Sequence, residues 1–146
     1  SFGNTVGFSI IAEDLPEETN YISLNYKNLD SDGLPGISVN YNLSTNSRKI
    51  LDFAMRKTKE LLMEAGAEIL YETPLMRYAG WHLMGTAKMG EDSKNSVTNK
   101  YGKLHDSENI YIVDGSLFVT SASVNPTPTI QALALYVAEN LIKGKG

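Results

Sequence analysis

Residues 44–66 read STNSRKILDFAMRKTKELLMEAG, and their pattern predicts the longest regular element of the chain. Mostly apolar residues recur here at spacings of three and four, which is the period of an amphipathic helix. They would form one face of the helix and are Ile50, Leu51, Ala54, Met55, Thr58, Leu61, Leu62 and Ala65. Ser44 or Thr45 can cap its start, and Gly66 stands where a C′ glycine ends a helix. We therefore expect an amphipathic helix of about twenty residues.

A β-hairpin is predicted directly before this helix. In residues 20–26, Ile22, Leu24 and Tyr26 share one face, and Ile37 and Val39 alternate in the same way further on. The stretch between them, residues 29–36, is dense in turn residues. We expect two antiparallel strands joined by a long loop, with the long helix covering the sheet.

Four further elements are predicted outside this unit. Residues 8–12 and 68–71 read as short strands, and residues 109–113 as a strand buried on both faces. The last helix is expected to start around residues 125–129, where Asn125 or Thr127 can cap it and a proline suits the first turn. Because Gln131 is the one strongly polar residue in 130–138, this helix should be buried against a surface outside the chain. The fold class predicted is α+β.

Composition excludes several kinds of function. The chain has 146 residues, 42% hydrophobic and 21% charged, with a net charge of −4, which argues against nucleic-acid binding. Its apolar stretches are too short to span a bilayer, and no signal peptide is visible. Without cysteine and with two histidines, a metal site is not expected, and the cytoplasm is slightly favoured as the location. Because the chain does not begin with Met, we expect it to be part of a longer protein.

Two segments carry residues suited to alcohol oxidation. The first reads His82-Leu83-Met84-Gly85-Thr86-Ala87-Lys88-Met89-Gly90, and the second contains Asp114-Gly115 and then Asn125-Pro126-Thr127-Pro128-Thr129. Histidine ordinarily titrates near neutrality and can take a hydroxyl proton, while an asparagine amide can hold the oxygen without titrating. Because no side chain accepts hydride well, a cofactor must take the hydride.

These segments resemble the C-terminal part of the glucose-methanol-choline (GMC) family of FAD-dependent oxidoreductases. His82 to Gly90 is similar to the family pattern His-x-x-Gly-Thr-x-x-Met-Gly, and Asn125-Pro126 matches the family's second active-site position, a His or Asn before a Pro. The resemblance implies that His82 and Asn125 are catalytic and that Asp114, Gly115, Pro126 and Thr127 approach FAD. The Asn-Pro-Thr-Pro-Thr form is closest to the sugar and polyol branch, which implies a small alcohol or sugar substrate.

The resemblance also implies different roles for two parts of the chain. Residues 1–79 would form the substrate-side sheet and helix, and residues 80–146 the active-site and flavin-facing segment of the same structural domain. Since the chain has no Gly-x-Gly-x-x-Gly fingerprint, an N-terminal FAD-binding domain outside it must hold most of the cofactor. Asp114-Gly115 has two interpretations, a strand-ending turn or a backbone N–H that approaches the cofactor. The isolated piece is expected to be inactive, and a folding, dimerisation or ligand-binding role remains the alternative.

Overall fold

The computed structural model describes residues 3–73, 75, 80–122 and 124–145. Across these residues the chain forms a two-stranded antiparallel sheet, a long helix, a 3₁₀ turn and a second helix, in that order. The fold is α+β, as predicted. In this part of the chain no helix is both long enough and apolar enough to cross a membrane.

The sheet is a hairpin of β1 (Tyr21–Leu29) and β2 (Pro35–Asn40), paired antiparallel. Its loop is organised by Asp30, whose Oδ1 accepts the amide hydrogens of Asp32 and Leu34, both at 2.9 Å. A carboxylate that bonds its own following backbone in this way replaces the ladder bonds that end at the turn. The predicted hairpin with a long loop is confirmed.

The long helix, α1, spans Thr45–Glu64, and both of its ends follow the sequence prediction. Ser44 is the N-cap, and its Oγ accepts the amide of Ser47 at 3.0 Å. At the other end Gly66 adopts a left-handed conformation, with φ +91°. The last carbonyls are then satisfied by a Schellman pair of 3.0 Å bonds, from Gly66 N to Met63 O and from Ala67 N to Leu62 O.

The prediction that α1 covers the sheet is wrong for the described part of the chain. The helix shares no extended contact with either strand. Ile22 and Ile37, which were expected to be half-buried, are 48% and 69% exposed. The helical period identifies which face of α1 is apolar, but it does not say what covers that face. A two-stranded ribbon also offers a narrow surface for packing.

The three further strands predicted outside the hairpin do not form in the described residues. Residues 8–12 and 68–71 are irregular. The stretch 109–113 makes an isolated bridge between Tyr111 and Lys103, and Val113 is 47% exposed, so it is not a strand buried on both faces. Short apolar runs fit the strand pattern, but a strand needs a neighbouring backbone to bond its N–H and C=O groups. The predicted loop from Pro74 towards His82 falls mostly outside the described residues.

The last helix, α2, spans Thr127–Ile142, which confirms its predicted position. Its predicted burial is not reached within the described chain, because Leu135 is 67% and Ile142 is 86% exposed. Val137, on another side of α2, is buried, and together with Leu117 it forms the fully buried apolar core of the described residues. The apolar surface of α2 is therefore much larger than the surface this chain offers to cover it.

We predict that the isolated 146-residue chain self-associates, because apolar side chains of α2 and the hairpin face solvent. The apparent mass measured by sedimentation velocity should rise with protein concentration. Replacing two exposed residues of α2, Leu135→Lys with Ile142→Lys, should reduce the association. A single monomeric species of the unmodified chain at millimolar concentration would contradict this prediction.

Candidate active site

The His82 segment lies beside the turn that follows Asp114. This turn is the 3₁₀ element Gly115–Leu117. Alternate amides of the His82 segment donate to successive carbonyls of the turn: Gly85 N to Gly115 O at 3.2 Å, Ala87 N to Ser116 O at 3.0 Å, and Met89 N to Leu117 O at 3.0 Å. Two stretches about thirty residues apart in sequence are thus held together by three backbone hydrogen bonds.

Gly115 is the point where three segments meet. It is buried, and a Cβ added there would lie 3.3 Å from the carbonyl oxygen of Leu83 and 3.3 Å from Cδ1 of Ile130. Leu83 follows His82, and Ile130 belongs to the first turn of α2. A side chain at this position would separate the His82 segment from the start of α2, so glycine permits their close approach.

Asp114 stabilises the turn that contains Gly115. Its Oδ1 accepts the amide of Ser116 at 2.8 Å and the Ser116 hydroxyl at 2.6 Å. The hydrogen bonds from the Ser116 hydroxyl and amide hold the pKa of Asp114 below its ordinary value. The interpretation of Asp114-Gly115 as a tight turn is thereby supported, while an additional contact with a cofactor stays a prediction.

His82 and Asn125 lie on two of the segments that flank Gly115. His82 is half-buried and Asn125 is exposed. Neither side chain forms a hydrogen bond with another residue in the part of the chain that the structure describes. The structure therefore brings their segments together, and their catalytic roles stay predictions.

The first turn of α2 contains two backbone amides without a hydrogen-bond partner among the described residues. Pro126, which is buried, occupies the N-cap position without a side-chain cap, so the predicted capping by Asn125 or Thr127 is wrong. Prolines at 126 and 128 have no N–H to donate, and the carbonyl of Pro126 accepts the amide of Ile130 at 2.9 Å. The amides of Thr127 and Thr129 have no bonding partner among the described residues, and they stand at the positive end of the helix dipole.

A series of isolated β-bridges lies next to the His82 segment. Met89 bridges to Thr98, Thr98 to Leu104, and Lys103 to Tyr111. Gly102 lies between this series and α2, with φ +73°. A Cβ there would come within 2.7 Å of the Ile112 carbonyl oxygen and 2.8 Å of a Val137 methyl group. This series of pairings therefore connects the active-site segment to the buried side of α2.

A shallow apolar groove of about 330 Å³ adjoins the start of α2. The His82 segment, the 3₁₀ turn, the loop after it and α2 all contribute to it, through Met89, Leu117, Phe118, Thr129 and Leu133 among others. Its lining is predominantly apolar, and Thr129 is the residue of the first turn of α2 that contributes to it. The second histidine, His105, is not part of it, since its Nε2 bonds the Ser96 hydroxyl at 2.9 Å in a turn.

Sequence reasoning did not identify the role of Asp14. Its carboxylate accepts the hydroxyls of Tyr41 at 2.5 Å and Ser47 at 2.7 Å. Its main-chain oxygen accepts the Ser121 hydroxyl at 2.9 Å. No local pattern signals contacts between residues so far apart in sequence. The sequence does indicate that Ser47 has a local role, because it lies three residues after the predicted helix cap Ser44.

Comparison with known proteins identifies the family of the chain. The family model described as GMC oxidoreductase matches residues 16–134. A 2-methyl-1,2-propanediol dehydrogenase of Mycolicibacterium austroafricanum is 39% identical over 92% of this chain. A 6'''-hydroxyparomomycin C oxidase of Streptomyces lividus is 35% identical over 86%, and the fructose dehydrogenase large subunit of Gluconobacter japonicus is 28% identical over 89%.

The chain belongs to the GMC oxidoreductase family. It spans about a quarter of the length of these relatives, with shares of 24%, 23% and 24%.

We predict that Gly102→Ala destabilises the chain by about 3 kcal/mol, because the left-handed backbone disfavours a side chain and the new Cβ overlaps Ile112 and Val137. Gly33→Ala is a matched control, since Gly33 has φ +80° but no atom within 4 Å of the added Cβ. It should cost about 1 kcal/mol. Urea unfolding of the dilute chain, followed by far-ultraviolet circular dichroism, measures both. Equal costs for the two substitutions would show that the packing at Gly102 contributes nothing.

Proposed function

We propose that this chain is the substrate-facing C-terminal part of an FAD-dependent oxidoreductase that oxidises CH–OH groups of sugars, polyols or related alcohols. The observation that carries the proposal is the convergence of the His82 segment and the start of α2 on Gly115. The names of the relatives support the substrate class, since they include a propanediol dehydrogenase and a fructose dehydrogenase subunit.

Two backbone amides at the start of α2 support this proposal. The amides of Thr127 and Thr129 have no partner among the described residues, and the helix dipole adds partial positive charge there. In the proposed site, Pro126, Thr127, Asp114 and Gly115 would help to hold FAD. When bound, FAD would supply the hydride acceptor that no side chain provides.

His82 is proposed to remove the hydroxyl proton. An alcohol loses its hydride readily only as the oxygen gains negative charge, so a base within hydrogen-bond reach lowers the barrier. A neutral imidazole nitrogen can accept that proton in the range where enzymes usually work. His82 is half-buried in the segment that pairs with the 3₁₀ turn, and this placement supports the role.

Asn125 is proposed to orient the alcohol. Its exposed amide can donate a hydrogen bond to the substrate oxygen, which directs the carbon–hydrogen bond towards the acceptor. The two side chains then divide the work, since His82 changes protonation state while Asn125 does not. Both groups act on the same substrate oxygen, and this requires the two segments to remain together.

The adenine and pyrophosphate portions of FAD are proposed to bind an N-terminal domain outside this chain. The chain contains no Gly-x-Gly-x-x-Gly sequence, and it spans about a quarter of its relatives. On this proposal the isolated chain does not turn over substrate. A second candidate is a folding or association role for the isolated piece, which its exposed apolar surface favours.

We predict that the full-length protein shows the visible absorbance band of bound flavin and that an alcohol or sugar bleaches it. His82→Ala should lower the rate constant of this bleaching by about two powers of ten, because an acid–base group is lost. His105→Gln is the matched control, since the other histidine lies in a turn bonded to Ser96, and it should change the rate constant less than about twofold.

Stopped-flow absorbance with a panel of sugars and polyols measures both variants per bound flavin. A full-length protein without flavin would refute the proposed function. A change below twofold in His82→Ala would remove His82 from the mechanism while leaving the flavoprotein assignment intact.

A further inference from the structure

Asp14 lies at a junction of three parts of the chain. The Asp14 junction consists of Asp14, Tyr41, Ser44, Ser47 and Ser121. The Tyr41 hydroxyl donates to Oδ2 of Asp14 and the Ser47 hydroxyl to Oδ1, while the Ser121 hydroxyl donates to its main-chain oxygen. The junction thus links the end of β2 and the start of α1 to Ser121, which lies 107 residues after Asp14.

The donors of this junction are fixed by their own surroundings. Ser47 is 2% exposed, and its hydroxyl lies 3.0 Å from that of Ser44, the cap of α1. Because Ser47 gives its proton to Asp14, Ser44 must be the donor of this pair. Burial, then the hydrogen bond to Asp14 and its charge, raise the pKa of Tyr41 to about 12, so the phenol remains a donor at ordinary pH.

Ser121 precedes Asn125 by four residues, between the 3₁₀ turn and α2. On one side, Leu117 is buried and its carbonyl accepts the amide of Met89. On the other side, Pro126 is buried at the start of α2. Between these two fixed ends, the bond from Ser121 to Asp14 restrains the backbone four residues before Asn125. Without it the loop would sample more conformations, and Asn125 would be held less closely to one position.

We propose that Ser121 is a positioning residue for Asn125, acting through its hydrogen bond to the Asp14 carbonyl. The proposal rests on the proposed function, because it assigns Asn125 the orientation of the substrate oxygen. The substrate-side hairpin and α1 then help to fix the alcohol-oxidising site without touching the substrate. Small displacements of an orienting group are costly, since a shift of about 1 Å can slow a reaction by about a hundredfold.

The test uses the full-length flavoprotein and the rate constant of flavin reduction at saturating substrate, divided by the bound flavin. Ser121→Ala should lower this rate constant about tenfold with flavin content unchanged. Ser121→Thr keeps the hydroxyl and should restore the rate to within about twofold of the original. Ser107→Ala is the matched control, because it removes an exposed serine hydroxyl that bonds Asn109, and it should leave the rate unchanged.

A double-mutant cycle separates positioning from general destabilisation. If Ser121 acts through Asn125, Ser121→Ala should have less than about a twofold effect in an Asn125→Ala background. A similar tenfold loss in both backgrounds would overturn the proposal, as would an unchanged rate constant in Ser121→Ala. If Ser121→Ala does not bind flavin, Ser121→Cys decides, because a thiol is a much weaker hydrogen-bond donor to the Asp14 carbonyl.

Ser121→Cys should lower the rate constant at least about threefold, and the loss should vanish in the Asn125→Ala background. An unchanged rate constant in Ser121→Cys would then overturn the proposal. Failure of the proposed function has a different signature. A full-length protein without flavin would overturn both proposals, whereas a flavoprotein that depends on His82 but not on Ser121 would overturn only this one.

Discussion

Three backbone hydrogen bonds, from the amides of Gly85, Ala87 and Met89 to the 3₁₀ turn, hold the candidate site together. They bring the His82 segment to Gly115, where the first turn of α2 also arrives through Ile130. None of these bonds involves a side chain, so the arrangement depends on backbone pairing and on the small size of glycine. The proposed roles of His82 and Asn125 both require it, because each acts on one substrate oxygen.

Local sequence patterns predicted the local structure well. The cap, length and end of α1 follow from residues 44–66, and the hairpin follows from alternation and turn residues. The position of α2 follows from its apolar run after Pro128. Each of these signals arises within about twenty residues of chain, where period and capping chemistry determine the outcome.

Longer-range features were predicted less well. The covering of the hairpin by α1 and the strand at 109–113 were both wrong, because each depends on which distant segment supplies a partner. The junction at Asp14 was missed for the same reason, since Ser121 lies 107 residues away. The candidate site was predicted only in part. The family resemblance supplied its residues, but the sequence did not show that the His82 segment and the start of α2 meet at Gly115.

The account depends most directly on the pairing of the His82 segment with the turn, and amide hydrogen exchange resolved to single residues measures it. The amides of Gly85, Ala87 and Met89 should be protected, because each donates to a carbonyl of the turn. Those of Thr86 and Lys88, which have no partner among the described residues, should exchange faster. Exchange of all five amides at the rate of an unstructured peptide would contradict the account.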